Sequence, residues 1–375
     1  MENSNQISQA ELAANKNPKE VSLQSILTSD EFQNCSFDLP IVLGKTSGYK
    51  TIITDLAELP HLLVGGATGQ GKSVFLHAII NSLLHKKRPE ELKLVLIDTK
   101  NQQFSIYADL KNNFLAKQNN GESVIISETK KVIETLNSLC LEMDDRYDML
   151  NAAQVRNLKE YNEKFKKRHL NPEKGHRLMP YVVVVFDEFA DLLAIAGKKV
   201  EIPIALLARI GRGVGIHIVI ATQRPSANVI GAIKAYFPAI VAFRVSSIID
   251  SRSILDAPGA EHLLGRGDML FSKGNELMRI QSAFIDTPEI EKFVKSKYIG
   301  EQTSVYDTFI LPKSSEKPSF PEIKKIDLDP LYEDVSEWAK PKKQVSIAQI
   351  QTEYTVGRMR AGRILEQLKV NGIVN

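Results

Sequence analysis

Five short runs rich in Val, Ile and Leu, at residues 61–64, 92–98, 181–186, 216–222 and 239–245, recur through the middle of the chain. None of them alternates apolar with polar residues. A strand with one wet face would alternate, so each run is expected to be a strand covered on both faces. Helical patterns at 73–84, 128–150 and 200–210 separate the runs, and this strand–helix rhythm predicts a doubly wound α/β fold with a mainly parallel sheet. The rhythm changes after Val245. Segments 268–271 and 277–284, separated by Ser272-Lys273-Gly274-Asn275, have the pattern of a hairpin added to the sheet edge.

At 375 residues and 43% apolar content, the chain is long enough for one large core and a small second domain. Residues 1–22 are polar and read as a flexible tail without the apolar core of a secretory signal. No apolar run approaches the roughly 20 residues of a spanning helix. Cys35 and Cys140 are far apart and have no His at metal-ligand spacing, so a reducing, cytoplasmic setting is expected. The net charge of +3 names no partner.

The large domain is expected to span 23–310, followed by a linker at 311–328 dense in Pro, Lys, Ser and Glu. In the remaining residues, 329–375, two helices are expected at 347–354 and 358–371. The second puts Ala361, Ile364, Leu365 and Leu368 on one face, and Gly372 ends it.

Between the first strand and the first helix lies Gly66-Ala67-Thr68-Gly69-Gln70-Gly71-Lys72-Ser73, which satisfies the P-loop pattern in its required context. Glycines let consecutive N–H groups turn toward phosphate oxygens. Lys72 can reach the β and γ phosphates of ATP, and Ser73 can ligate Mg²⁺. The strand at 181–186 runs directly into Asp187-Glu188. Asp187 would hold Mg²⁺ and Glu188 would polarise the attacking water; alternatively, these acids cap the following helix. A third strand ends at Gln223, whose amide could sense the γ phosphate or simply brace a loop.

Beyond the P-loop, an ordered set of segments resembles the motor region of the FtsK/SpoIIIE family. They include Pro60-His61-Leu62-Leu63-Val64, Asp187-Glu188-Phe189-Ala190-Asp191-Leu192, Gly215-Ile216-His217 and Ala221-Thr222-Gln223-Arg224-Pro225-Ser226. Further along come Val245-Ser246-Ser247, Ile249-Asp250-Ser251-Arg252, Gly259-Ala260-Glu261 and Gly267-Asp268-Met269-Leu270. The resemblance implies a RecA-like ATPase domain assembled as a homo-hexameric ring on double-stranded DNA, with ATP between subunits. Arg212 then matches the family's trans-acting arginine; by residue type alone it would be a helix-end cation. Lys234 and Arg252 match DNA-facing positions.

The C-terminal segment resembles the family's winged-helix (helix-turn-helix) domain, with Arg358, Arg360 and Arg363 in place to touch DNA. Some positions depart from the family: Ile248 stands where a second channel lysine is usual, Thr99 where proline is usual and Met359 where asparagine is usual. The chain stops about where the wing should begin, and the membrane anchor is expected to be absent. The implied function is ATP-dependent DNA translocation in chromosome or plasmid movement, with a membrane-anchored or recombination protein as a further partner. A coupling ATPase of a conjugation or secretion system, or a nucleotide-gated DNA-binding regulator, is the alternative. Asp191 is expected to be an ordinary helix-surface residue.

Overall fold

The computed structural model describes residues 20–116, 125–274, 276–300, 309–312, 331–342 and 345–354, together with 361, 364, 365, 368 and 373. Two compact units divide at Ser314 and Ser315.

The described residues of the large unit form an 11-stranded sheet. Its strands are β1 (Val21–Ser22), β2 (Pro40–Lys45), β3 (Thr51–Asp55), β4 (His61–Gly65), β5 (Leu92–Ile97), β6 (Ile125–Ile126), β7 (Tyr181–Phe186), β8 (Ile216–Thr222), β9 (Ala239–Phe243), β10 (Asp268–Lys273) and β11 (Glu276–Phe284). They lie in the order β3-β2-β11-β10-β9-β4-β8-β7-β5-β6, with β1 also paired to β11. All five strands expected from the apolar runs are present, and they form a continuous parallel block with β6.

The other half corrects the expectation of a mainly parallel sheet. The hairpin β10–β11 pairs antiparallel to β9, and β2 and β3 extend it antiparallel again, so the sheet is mixed. A two-residue turn forces antiparallel pairing, whereas each strand of the parallel block needs a long crossover.

The apolar runs do alternate, but between two cores rather than between core and water. Val183 and Val185 of β7 pack into one hydrophobic cluster, while Val182, Val184 and Phe186 pack into the other. Leu62 and Val64 are separated from Leu63 in the same way. Each such side chain removed from water contributes about 1.5–3 kcal/mol, which is why both faces of the central strands are apolar.

Two expected boundaries shift. Val21 and Ser22, expected to end the tail, are a strand, and the Ser22 hydroxyl caps the helix Leu23–Leu27. Leu311, expected to open the linker, is buried in the large unit's core.

The small unit contains the helices Tyr332–Ala339 and Ile347–Tyr354. The first of these was not foreseen. Val335, Ala339, Val345 and Ile350 bury themselves against Ala361, Ile364 and Leu368, three of the apolar residues assigned to one helical face. Arg358, Met359, Arg360, Arg363 and Gly372 lie outside the described residues, as does most of the linker.

Candidate active site at the carboxyl edge of the sheet

The parallel block brings four strand ends side by side, β4, β8, β7 and β5. Ligands of open α/β sheets bind at such carboxyl ends. The P-loop leaves β4 and enters the helix Lys72–Lys86 through Gly71, whose φ of +115° only glycine adopts readily. Both flanking segments hold the loop: the Ala67 N–H donates to the Arg244 carbonyl at 2.9 Å, and the Gly267 N–H donates to the Gln70 carbonyl at 3.0 Å.

Lys72 is 6% exposed and donates from Nζ to the Ala67 carbonyl at 2.6 Å. Burial lowers its ammonium to about 8, against the opposing pull of Glu188 and Asp187. Asp187, at the end of β7, is pushed up to about 6 by burial and by the carboxylates of Asp98 and Glu188, with Lys100 and Lys72 acting the other way. Here acids outnumber the cations available to them.

Glu188 is 4% exposed and tightly held. Its Oε1 accepts from the Ala190 N–H at 3.1 Å and from the Thr222 hydroxyl at 2.8 Å, and its Oε2 accepts from the Gln223 N–H at 2.9 Å. It therefore caps the helix Phe189–Ala196 and also faces β8; the two sequence readings of this residue are compatible. The Thr68 hydroxyl donates to Gln223 Oε1 at 2.6 Å, which links the P-loop to the end of β8. Gly66, Thr68, Gly69 and Ser73 complete the loop at the same edge.

Several contributors were not foreseen. Thr222 orients Glu188 from a strand 34 residues away. Asp98 is fully buried and accepts from the N–H groups of Gln103 and Phe104. Asp191, expected on the helix surface, pairs there with the exposed Lys100 at 3.2 Å. A cavity of about 630 Å³ opens beside Gly69, Gly71 and Val74, walled by residues 264–267 and 281–284 together with Glu20 and Val21. That volume suits a nucleoside. The signal for its wall was the glycine pair Gly265 and Gly267, which the sequence reading left without a role.

The expected Mg²⁺ site passes a test of donor chemistry. Asp187 stays raised even with Lys100 and Lys72 acting on it, and Ser73 offers a hydroxyl in the first turn of the helix Lys72–Lys86. Neutral and anionic oxygens of this kind suit a hard divalent ion that also takes phosphate oxygens. No group of three or more His, Cys, Asp or Glu able to hold a metal alone occurs among the described residues.

The remaining candidates lie apart from Lys72. Arg212 sits in the turn Gly211–Val214, which precedes β8, and its side chain is exposed. The seven residues of β8 separate it from Gln223 by about 20 Å. Lys234 is engaged internally: its Nζ donates to the Ser253 carbonyl at 2.9 Å and pairs with Asp256 at 2.8 Å. Arg252 is exposed on the helix Ile248–Leu255.

Fold and site together define a P-loop ATPase, an enzyme that hydrolyses ATP. A sequence model of the FtsK/SpoIIIE family matches residues 22–227, and the chain belongs to that family. It is 41% identical to the DNA translocase FtsK of Chlorobaculum tepidum, over 96% of this chain and 44% of that protein. It is 38% identical to the DNA translocase FtsK of Haemophilus influenzae, over 95% of this chain and 70% of that protein. Among solved structures it resembles the pCW3 conjugation coupling protein TcpA in its monomer form with ATPγS, with a TM-score of 0.62 and 26% identity over 76% of this chain and 75% of that one. The cytoplasmic domain of the type VII secretion ATPase EccC of Thermomonospora curvata shares the fold, with a TM-score of 0.63 and 24% identity over 75% of this chain and 34% of that one. No helix among the described residues is long and apolar enough to cross a membrane.

Proposed function

We propose that this chain is an ATP-driven motor that works on double-stranded DNA as a hexameric ring, each ATP lying between neighbouring subunits. The observation that carries the reading is the placement of Arg212 at the opposite end of β8 from Glu188 and Gln223. An arginine about 20 Å from its own site serves the site of a neighbour, and a closed ring is how identical subunits supply one another.

In this reading Lys72 and the P-loop amides hold the β and γ phosphates, and Ser73 and Asp187 hold Mg²⁺, which would neutralise phosphate charge. Glu188, oriented by Thr222 and the Gln223 N–H, takes the proton of the attacking water. Gln223, bonded to Thr68, reports the γ phosphate to β8. Arg212 of the neighbour stabilises the charge that develops in the transition state.

Arg252 is the better candidate for DNA phosphate contact, because Lys234 already has two partners. Arg358, Arg360 and Arg363 of the small unit, read as a winged-helix domain, would add further contacts. The helix Ile248–Leu255 would then face the channel.

The cargo pathway has two readings. The relatives named DNA translocases support a DNA translocase, which would act in chromosome or plasmid movement with a membrane-anchored or recombination protein as partner. The TcpA likeness favours a coupling ATPase that feeds DNA into a conjugation channel. Both move DNA, so the decisive experiment is ATPase activity with and without long duplex DNA, combined with displacement of a triplex-forming strand. DNA-stimulated turnover with displacement is expected; turnover that leaves the third strand in place would overturn the motor reading.

A further inference from the structure

The turn that carries Arg212 is gripped from one side by a single helix. It joins the helix Lys198–Ile210 to β8, and two consecutive side chains of the long helix Thr129–Ala152 hold its two flanks. The Tyr147 hydroxyl donates to the Ile210 carbonyl at 2.6 Å, immediately before the turn. The Arg146 guanidinium, fully buried, donates through Nη1 to the Val214 carbonyl at 2.8 Å, at its far end.

Arg146 is itself immobilised. Its Nε donates to Glu142 at 2.7 Å, its Nη1 donates also to the Pro180 carbonyl at 2.8 Å, and the Phe309 ring lies 5.7 Å away. Between the two pins stands Gly213, where a Cβ atom would come within 2.9 Å of the Tyr147 oxygen. The absence of a side chain at Gly213 is what lets the tyrosine reach the turn.

The gripping helix begins at the other edge of the sheet. It follows β6, which pairs with Leu96 and Ile97 just before Asp98. Its 24 residues extend about 36 Å, from the strand ends that surround a subunit's own nucleotide to the turn that would serve the next one.

We infer that Tyr147, together with Arg146, is a positioning residue that sets where Arg212 stands toward the neighbouring subunit's ATP. The inference rests on the proposed trans role of Arg212. A short 3₁₀ turn has weak hydrogen bonds of its own, and the Arg212 side chain is exposed. Its aim is therefore set by the anchoring of the turn. A shift of about 1 Å in a group that must meet the transition state costs on the order of 100-fold in rate.

The test is DNA-stimulated ATP hydrolysis by full-length Tyr147→Phe, Gly213→Ala and Arg212→Ala, each alone and mixed with Lys72→Ala. Tyr147→Phe is expected to lower kcat about tenfold and to leave KM for ATP and ring assembly unchanged. Mixing it with Lys72→Ala should raise turnover above the sum of the two separate activities. Intact sites on Tyr147→Phe subunits would then receive Arg212 from Lys72→Ala neighbours whose Tyr147 is present. A merely structural defect would not be rescued by a hydrolysis-dead neighbour.

Gly213→Ala should show the same rescue, and it should cost less in the Tyr147→Phe background, where the colliding oxygen is gone. An unchanged kcat for Tyr147→Phe overturns the inference, as does failure of its mixture while the Arg212→Ala mixture is rescued; in both cases the trans arginine stands. Full turnover by Arg212→Ala alone would instead overturn the trans reading, and the inference with it.

Discussion

The two ends of the parallel block treat polar groups in opposite ways. At the carboxyl ends, Lys72, Asp187, Glu188 and Asp98 crowd one another, and burial shifts Lys72 and Asp187 toward their neutral forms. At the amino ends, His61, His217 and Arg146 are also buried, but they are built into the backbone: the Ile218 N–H donates to His61 Nδ1 at 3.1 Å, and His217 Nδ1 bonds the Pro60 carbonyl at 2.9 Å. Arg212 alone of this group faces outward. One edge is built to receive a charged substrate, and the other to hold a rigid base from which one cation projects. In the proposed ring, the two edges of neighbouring subunits would complete one another.

If the carboxyl edge owes its character to phosphate binding, the sharpest break comes from Lys72→Ala. ATP turnover is expected to fall about 10⁴-fold, because both phosphate charge stabilisation and positioning are lost. Folding should survive, since Nζ makes one hydrogen bond to its own loop. A circular dichroism melt alongside the ATPase assay checks both halves. Substantial residual turnover would mean that the edge works without its lysine and that its assignment is wrong.

Glu188→Gln is the next largest perturbation. It preserves size and leaves an amide oxygen for Thr222 or Ala190, but it removes the proton acceptor. A loss of about 100–1,000-fold in kcat is expected, while ATP binding persists. Measuring nucleotide binding by equilibrium dialysis beside the turnover rate separates chemistry from affinity. Equal loss of both would make Glu188 a structural cap only.

How much of this contrast was readable beforehand depends on distance along the chain. The P-loop and Asp187-Glu188 were legible because each is a local motif fixed by a strand ending. The roles of Thr222 and Asp98 were not, because they arise only when β8 and β5 come to lie beside β7. The family resemblance marks Lys234 as DNA-facing, and only the fold brings Asp256 and the Ser253 carbonyl to it. β2 and β3 escaped notice for a local reason: Pro40 and Gly44 break the first, and the second is half-buried through most of its length, so neither carries a clear periodic signal. Their antiparallel pairing is what makes the sheet mixed.

The amino edge can be broken with acid. Burial lowers His61 to about 3, with His217 adding to the shift, and burial lowers His217 to about 4. Both are neutral in the folded chain, while in the unfolded chain each takes up a proton near 6.5. Stability is therefore fully present above about pH 6.5 and is lost as the pH falls toward the folded values, by about 2 kcal/mol per histidine at pH 5. Thermal midpoints at pH 7.5 and pH 5 should show the loss, and His61→Asn, which keeps an acceptor for the Ile218 N–H, should halve its slope. An unchanged slope would mean that these histidines already reach water.

The smallest effect bears on the proposed DNA-facing surface, where two cations of similar promise in the sequence differ in the fold. Arg252→Ala should weaken duplex binding and reduce the slope of log affinity against log salt by about one, the signature of one lost phosphate contact. Lys234→Ala should leave that slope nearly unchanged, because its ammonium is already neutralised by Asp256, whose side chain is 83% exposed. Its loss should appear instead as a slight destabilisation of the helix Ile248–Leu255, which it ties through the Ser253 carbonyl. Salt titrations of DNA binding for the two variants distinguish them. Equal slope changes would mean that the Lys234–Asp256 pair opens for DNA; the partner of Lys234 would then be a gate rather than a fixture.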